Sequence, residues 1–147
     1  MTVEIVRRVH VYGGYSRDKN NRDTDPTGRV LVGGYASNVA NSGVDVTASD
    51  SLLNRPGGSY HSRYVSVGRE LKRGVYLSGD VTTSLSVIRY SRSDGITVET
   101  RPSTVRYSGT TTINVGRSTS LLATIERSVG DDYTEFRVLS GLTFRIR

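Results

Sequence analysis

The side chains with which this chain could carry out acid–base, nucleophilic or metal chemistry are few: two histidines, fourteen carboxylates and no cysteine. His61 is followed directly by Ser62, a pair of types that a hydrolase uses, but neighbours on an extended strand point to opposite faces and cannot share one site. His10 falls on the same parity as Asp80 and Glu126, either of which it could meet; the expected role is a hydrogen-bonded structural histidine. Asp23, Asp25, Asp131 and Asp132 lie in loop-like sequence without metal-ligand spacing. Gly13-Gly14 and Gly57-Gly58 do not open helices, so no phosphate-cradling loop is expected. These residues point to no enzyme, no metal and no cofactor.

The elements that position these residues alternate strictly. From Val75 to Val87 the odd positions carry Val75, Leu77, Gly79, Val81, Thr83, Leu85 and Val87, while the even ones carry Tyr76, Ser78, Asp80, Thr82, Ser84 and Ser86. A period of two with one greasy and one wet face is the signature of a half-buried strand. Thr104–Val115 and Phe136–Ile146 repeat it. Eight strands are expected: Ile5–Tyr15, Gly28–Ala36, Val44–Leu52, Tyr60–Glu70, Val75–Ser91, Ser103–Val115, Ser120–Ser128 and Thr134–Arg147. Their connections alternate between loops rich in Asp, Arg and Pro and mostly shorter turns. An even number of strands in this rhythm predicts a closed antiparallel up-and-down β-barrel, in which the first strand pairs with the last and both edges disappear.

Composition is consistent with one domain spanning residues 1–147, large enough for a single closed sheet. With no Trp and only two Phe, large side chains to fill a core are scarce, and the apolar content is mainly Val, Leu and Ile, which suit strands. No stretch approaches the roughly 20 apolar residues of a membrane helix, so entry into a bilayer requires a barrel whose lipid-facing residues come every second position. A net charge of +6 would suit nucleic acid or an anionic membrane surface. The arginines, however, are dispersed and share the inward parity with tyrosines, whereas nucleic-acid binding needs them on one exposed face. No apolar leader core separates Thr2 from Arg8, so no signal peptide is expected.

Two inside-out barrels fit the alternation. With the polar set inward, the interior collects Arg8, His10, Tyr12, Arg29, Tyr35, Asp45, Tyr64, Glu70, Tyr76, Asp80, Arg106, Glu126, Arg137 and Arg145, whose opposite charges can pair. Pairing is required, because an isolated buried ion costs several kcal/mol. The outward set is then an aliphatic band suited to lipid. In the reverse arrangement, a lipocalin-like ligand barrel with Val105, Ile113, Leu121 and Val138 inside, Gly79, Gly109, Thr83 and Thr111 leave the core poorly filled. A third arrangement packs the apolar face on sister subunits, as in a structural viral or surface protein. The polar-inward arrangement is the one expected, with Arg106, Arg137, Glu126 and Asp80, joined by Arg8 and Tyr76, lining a plugged or narrow lumen.

Segments such as Tyr64–Leu71, Gly116–Leu121 and Glu135–Phe144 look like outer-membrane strand ends and turns. In pattern the chain resembles the small eight-stranded outer-membrane barrels of Gram-negative bacteria, the class of the OmpA transmembrane domain and OmpX. The resemblance implies a non-enzymatic transmembrane protein of the outer membrane, a monomer whose partner is the lipid bilayer or detergent. Departures are plain. The chain ends Phe144-Arg145-Ile146-Arg147 where that class ends in an aromatic residue, its aromatic girdles are thin, and Arg7, Arg63 and Arg89 lie on the apolar parity. An arginine there costs ~2–4 kcal/mol at a bilayer midplane and little near its edges, so these should sit near an interface. With the missing leader, these departures imply a redesigned or truncated barrel.

Overall fold

Period-two sequence becomes ten strands of one antiparallel sheet. The computed structural model describes residues 2–6, 8–19, 26–91, 95–116 and 118–144. The strands are β1 (Thr2–Val6), β2 (Val9–Asp18), β3 (Thr27–Val39), β4 (Val44–Arg55), β5 (Gly58–Lys72), β6 (Val75–Ser91), β7 (Thr97–Thr100), β8 (Ser103–Asn114), β9 (Thr119–Gly130) and β10 (Thr134–Phe144). Nine of them form an up-and-down meander in the order β1-β2-β3-β4-β5-β6-β8-β9-β10, and β7 adds a short pairing to the far end of β6.

The expected first strand is in fact two. Arg8 takes a left-handed conformation (φ 75°), the chain reverses there, and Thr2–Val6 folds back on Val9–Tyr12. Nothing in Val3–Val11 announces this turn, since it contains neither Gly nor Pro. The expected loop Arg92–Pro102 likewise contains β7, held to β6 from Ile88↔Thr100 to Ser91↔Thr97. The remaining strands are where alternation puts them. The β4–β5 turn is tight because Pro56 presets the entry and Gly57 supplies a φ of 84°. Arg7, Asp23, Asp25 and Arg145, with the last residues of the chain, lie outside the described residues.

Among the described residues the sheet is not closed: β1 pairs only with β2 and β10 only with β9, so each leaves one backbone edge unpaired. Nor is there a second layer: among the described residues no hydrophobic side chain is buried, and only Gly68 and Ser128 are buried at all. What distinguishes the two faces is how far each is covered. Along β9 the polar-side residues Thr124, Glu126 and Ser128 are covered, while Leu121, Ala123, Ile125 and Arg127 on the other side are exposed. The same alternation runs through β5 and β6. Side chains on the inner side of a curled sheet crowd one another and those on the outer side splay apart; here the polar set crowds.

Candidate functional site

Register decides which polar residues meet. Reading cross-strand partners from β5 to β10, one rung is Ser66, Asp80, Ser108, Glu126 and Arg137, and the next rung up is Tyr64, Thr82, Arg106, Ser128 and Glu135. Four of the six lumen candidates, Asp80, Arg106, Glu126 and Arg137, therefore occupy two adjacent rungs of the covered face. The Ser108 hydroxyl donates to Asp80 Oδ1. Arg106 Nη1 stands 3.9 Å from Glu126 Oε2, and its Nη2 donates to Thr82 Oγ1 at 3.4 Å. Arg137 grips Glu135 with both ends of its fork, at 2.7 and 2.8 Å. One rung lower, Thr110 and Thr124 share a hydrogen bond of 3.1 Å.

This is a belt of alternating charge and hydroxyl. The Glu126 side chain is only 16% exposed against 45% for Arg106, so the carboxylate is the more enclosed partner of a loose ion pair. Asp80 Oδ2 is buried without a hydrogen-bond partner among the described residues. The other carboxylate oxygen is satisfied by Ser108, so the free one turns into the covered side of the sheet.

Tyr76 and Arg8 belong to other parts of the sheet. Tyr76 lies at the lower end of β6 with its hydroxyl against Gly68, at the very place a Cβ would occupy. Tyr12 covers Gly33 in the same way on the far side of the sheet, with its ring 2.6 Å from the position of an added Cβ. These bare glycines leave room for aromatic side chains to come close over the backbone. Arg8 is not on the covered face: it occupies the β1–β2 turn, where Nη1 donates to Asn41 Oδ1 at 3.0 Å. His10 meets neither Asp80 nor Glu126; it stacks on its cross-strand partner Tyr35, with ring centroids 4.5 Å apart and planes 13° from parallel.

Sequence reasoning missed a second cluster, on the aliphatic face. Asp50 accepts from Arg63 Nε at 3.3 Å and sits 2.7 Å from His61 Nε2. His61 and Ser62 do face opposite ways, but the partner of His61 is Asp50 on the neighbouring strand. The signal was present: a tight turn at Pro56-Gly57 pairs Arg55 with Gly58, and counting back places Asp50 opposite Arg63 and next to His61. Arg89 is similarly neutralised, donating to Glu99 Oε2 at 2.7 Å, while Arg101 holds the other oxygen at 2.7 Å. Hydrogen bonds from Arg89 and Arg101 hold the Glu99 carboxyl below the usual glutamate range. At the rim of the sheet, the Ser103 hydroxyl and amide both donate to Asp131, at 2.6 and 2.8 Å, which lowers its pKa as well.

Among the described residues no group of three or more His, Asp or Glu is arranged to hold a metal ion. No protein-family model matches the chain, and no curated protein matches it in sequence.

Proposed function

We propose that this chain is a non-enzymatic, membrane-spanning β-barrel of the outer-membrane type, monomeric, with lipid as its partner and the Asp80–Arg106–Glu126–Arg137 belt enclosed as a plug or narrow polar path. The observation that carries the reading is the inversion of coverage along β5, β6 and β9: there the polar face is the more covered one, and the aliphatic face, with Val65 at 48%, Leu85 at 43% and Ile125 at 54% exposure, is open, while β10 is exposed on both faces. A soluble ligand barrel requires the opposite. An aliphatic face of this extent has to be covered, and hydrocarbon covers it without demanding a shape-matched partner.

The stagger of the sheet supports closure. Following paired residues from Val9, at the lower end of β2, leads to Val138, six residues above the lower end of β10 at Phe144. From the top of β10, Thr134 leads back to Gly13, five residues short of the top of β2 at Asp18. The strands thus slip by nearly one residue per step, in one direction. A barrel needs such a tilt, and an even total stagger keeps inward residues inward.

The test is folding in detergent or lipid. A closed barrel should require detergent for solubility and migrate differently on a gel when unboiled. Identical mobility with and without boiling, together with a monodisperse detergent-free state, would refute the reading.

A second reading, assembly through the aliphatic face onto sister subunits, is favoured by the Asp50–His61–Arg63 cluster, which puts three polar side chains on that face. A defined, detergent-free oligomer would establish it.

A further inference from the structure

The geometry points to Tyr107, Arg127 and Phe136 as a headgroup site on the aliphatic face, where Arg127 holds the phosphate of a membrane lipid and the two rings lie at the same depth. This deepens the barrel reading and rests on it. Register places the three in one row, because Tyr107 on β8 and Phe136 on β10 are the two cross-strand partners of Arg127 on β9. Direct partners stand with their Cβ atoms about 5 Å apart. All three side chains are exposed, Tyr107 at 50% and Phe136 at 64%. The next row down, Gly109, Ile125 and Val138, carries no polar side chain.

The other cations of this face show why Arg127 takes its partner from outside. Among the described residues, Asp50 and Glu99 are the carboxylates that the strands turn to the aliphatic side. His61 and Arg63 hold the first, and Arg89 and Arg101 hold the second. No ion pair or hydrogen bond reaches Arg127 among the described residues. An unpaired guanidinium is costly at a bilayer midplane and tolerated near its edge, and Arg127 stands three residues before the end of β9 at Gly130. There its stem lies along apolar surface while the fork reaches the headgroups. Tyrosine favours the same level, with its ring in the apolar part and its hydroxyl in the wet one. A lipid phosphate is the anion at that depth, and the planar fork matches its oxygens two at a time. Arg17 and Arg69 also face outward, but neither has an aromatic cross-strand partner.

The chain has no tryptophan, so an introduced one reports its own depth. Full-length Phe136→Trp and Val138→Trp, each folded in phosphatidylcholine vesicles, are exposed to lipids brominated either near the headgroup or near the chain ends. Phe136→Trp should be quenched best by the shallow bromines and Val138→Trp by the deep ones. Denaturant unfolding of the unaltered chain and of Arg127→Gln is then compared in vesicles with and without anionic phosphatidylglycerol. Anionic lipid should raise the folding equilibrium constant of the unaltered chain about fivefold more than that of Arg127→Gln. An equal response of the two chains, or deeper quenching of Phe136→Trp than of Val138→Trp, overturns the headgroup site and leaves the barrel intact. Fluorescence of both tryptophan variants indifferent to every brominated lipid overturns the barrel, and this site with it.

Discussion

On β9, Ile125 and Glu126 are neighbours in the chain and opposites in circumstance. Glu126 is enclosed, lies near Arg106, and belongs to a rung that continues through Ser108 to Asp80. Ile125 points the other way into open space, between Gly109 and Val138. A soluble protein of this size hides its aliphatics and solvates its ions. Here the aliphatic side chain is the open one and the carboxylate the covered one, a difference that teaches how one face of the sheet gathers its polar groups against each other and the other is left to be covered from outside, as the proposed barrel requires.

The comparison breaks most sharply if the outer face is charged. Ile125→Arg, near the middle of its strand, should lower stability in vesicles by ~2–4 kcal/mol, measured by reversible denaturant unfolding. In an aqueous assembly the same change would act through oligomer dissociation instead. Glycines separate the faces next. Gly33→Ala would drive a Cβ to 2.8 Å from the Ala48 carbonyl oxygen and into the Tyr12 ring, while Gly109→Ala on the open face meets nothing within 4 Å. The first should cost about 1–3 kcal/mol and the second should be near neutral or slightly favourable, as strand entropy predicts. A smaller effect is expected for Glu126→Gln, about 1 kcal/mol, since Arg106 is partly solvated and keeps its bond to Thr82. In a double-mutant cycle with Arg106→Gln, a coupling indistinguishable from zero would remove that pair from the belt.

The smallest effect sharpens the rim. Asp131 has its pKa lowered by bonds from the Ser103 hydroxyl and amide. A depressed carboxyl contributes stability above its unfolded pKa and loses it as pH falls through the folded value. The Ser103 amide should therefore stay protected from exchange at neutral pH and lose protection only at pH below the ordinary aspartate range. Asp131→Asn should flatten that titration, and a Ser103 amide indifferent to pH would show that the bond does not form in solution.

Alternation made much of this legible. Val75–Val87 reads as one strand because its apolar and polar residues alternate throughout, and Asp80 and Tyr76 share a face for that reason alone. The turn at Lys72-Arg73-Gly74 and the loop centred on Asp131 were equally plain from composition. Three features were not read, one of them, the Asp50 pairing, although the turn at Pro56-Gly57 fixes its register. The reversal at Arg8 uses a left-handed arginine that no sequence rule favours. The pairing of Asp50 with His61 and Arg63 crosses a hairpin, and it sits on a face whose other members read as aliphatic. Stacking of His10 on Tyr35, rather than a carboxylate partner, follows from which strand lies next to β2.

By itself the sequence determined which residues share a face, because in an extended chain successive side chains must point to opposite sides. Only the tertiary structure decided which rung each residue joins, how many strands the amino-terminal segment makes, and which face is crowded. Those depend on turn conformations, accumulated register and sheet curvature, and each is a property of strands in contact that no single strand carries.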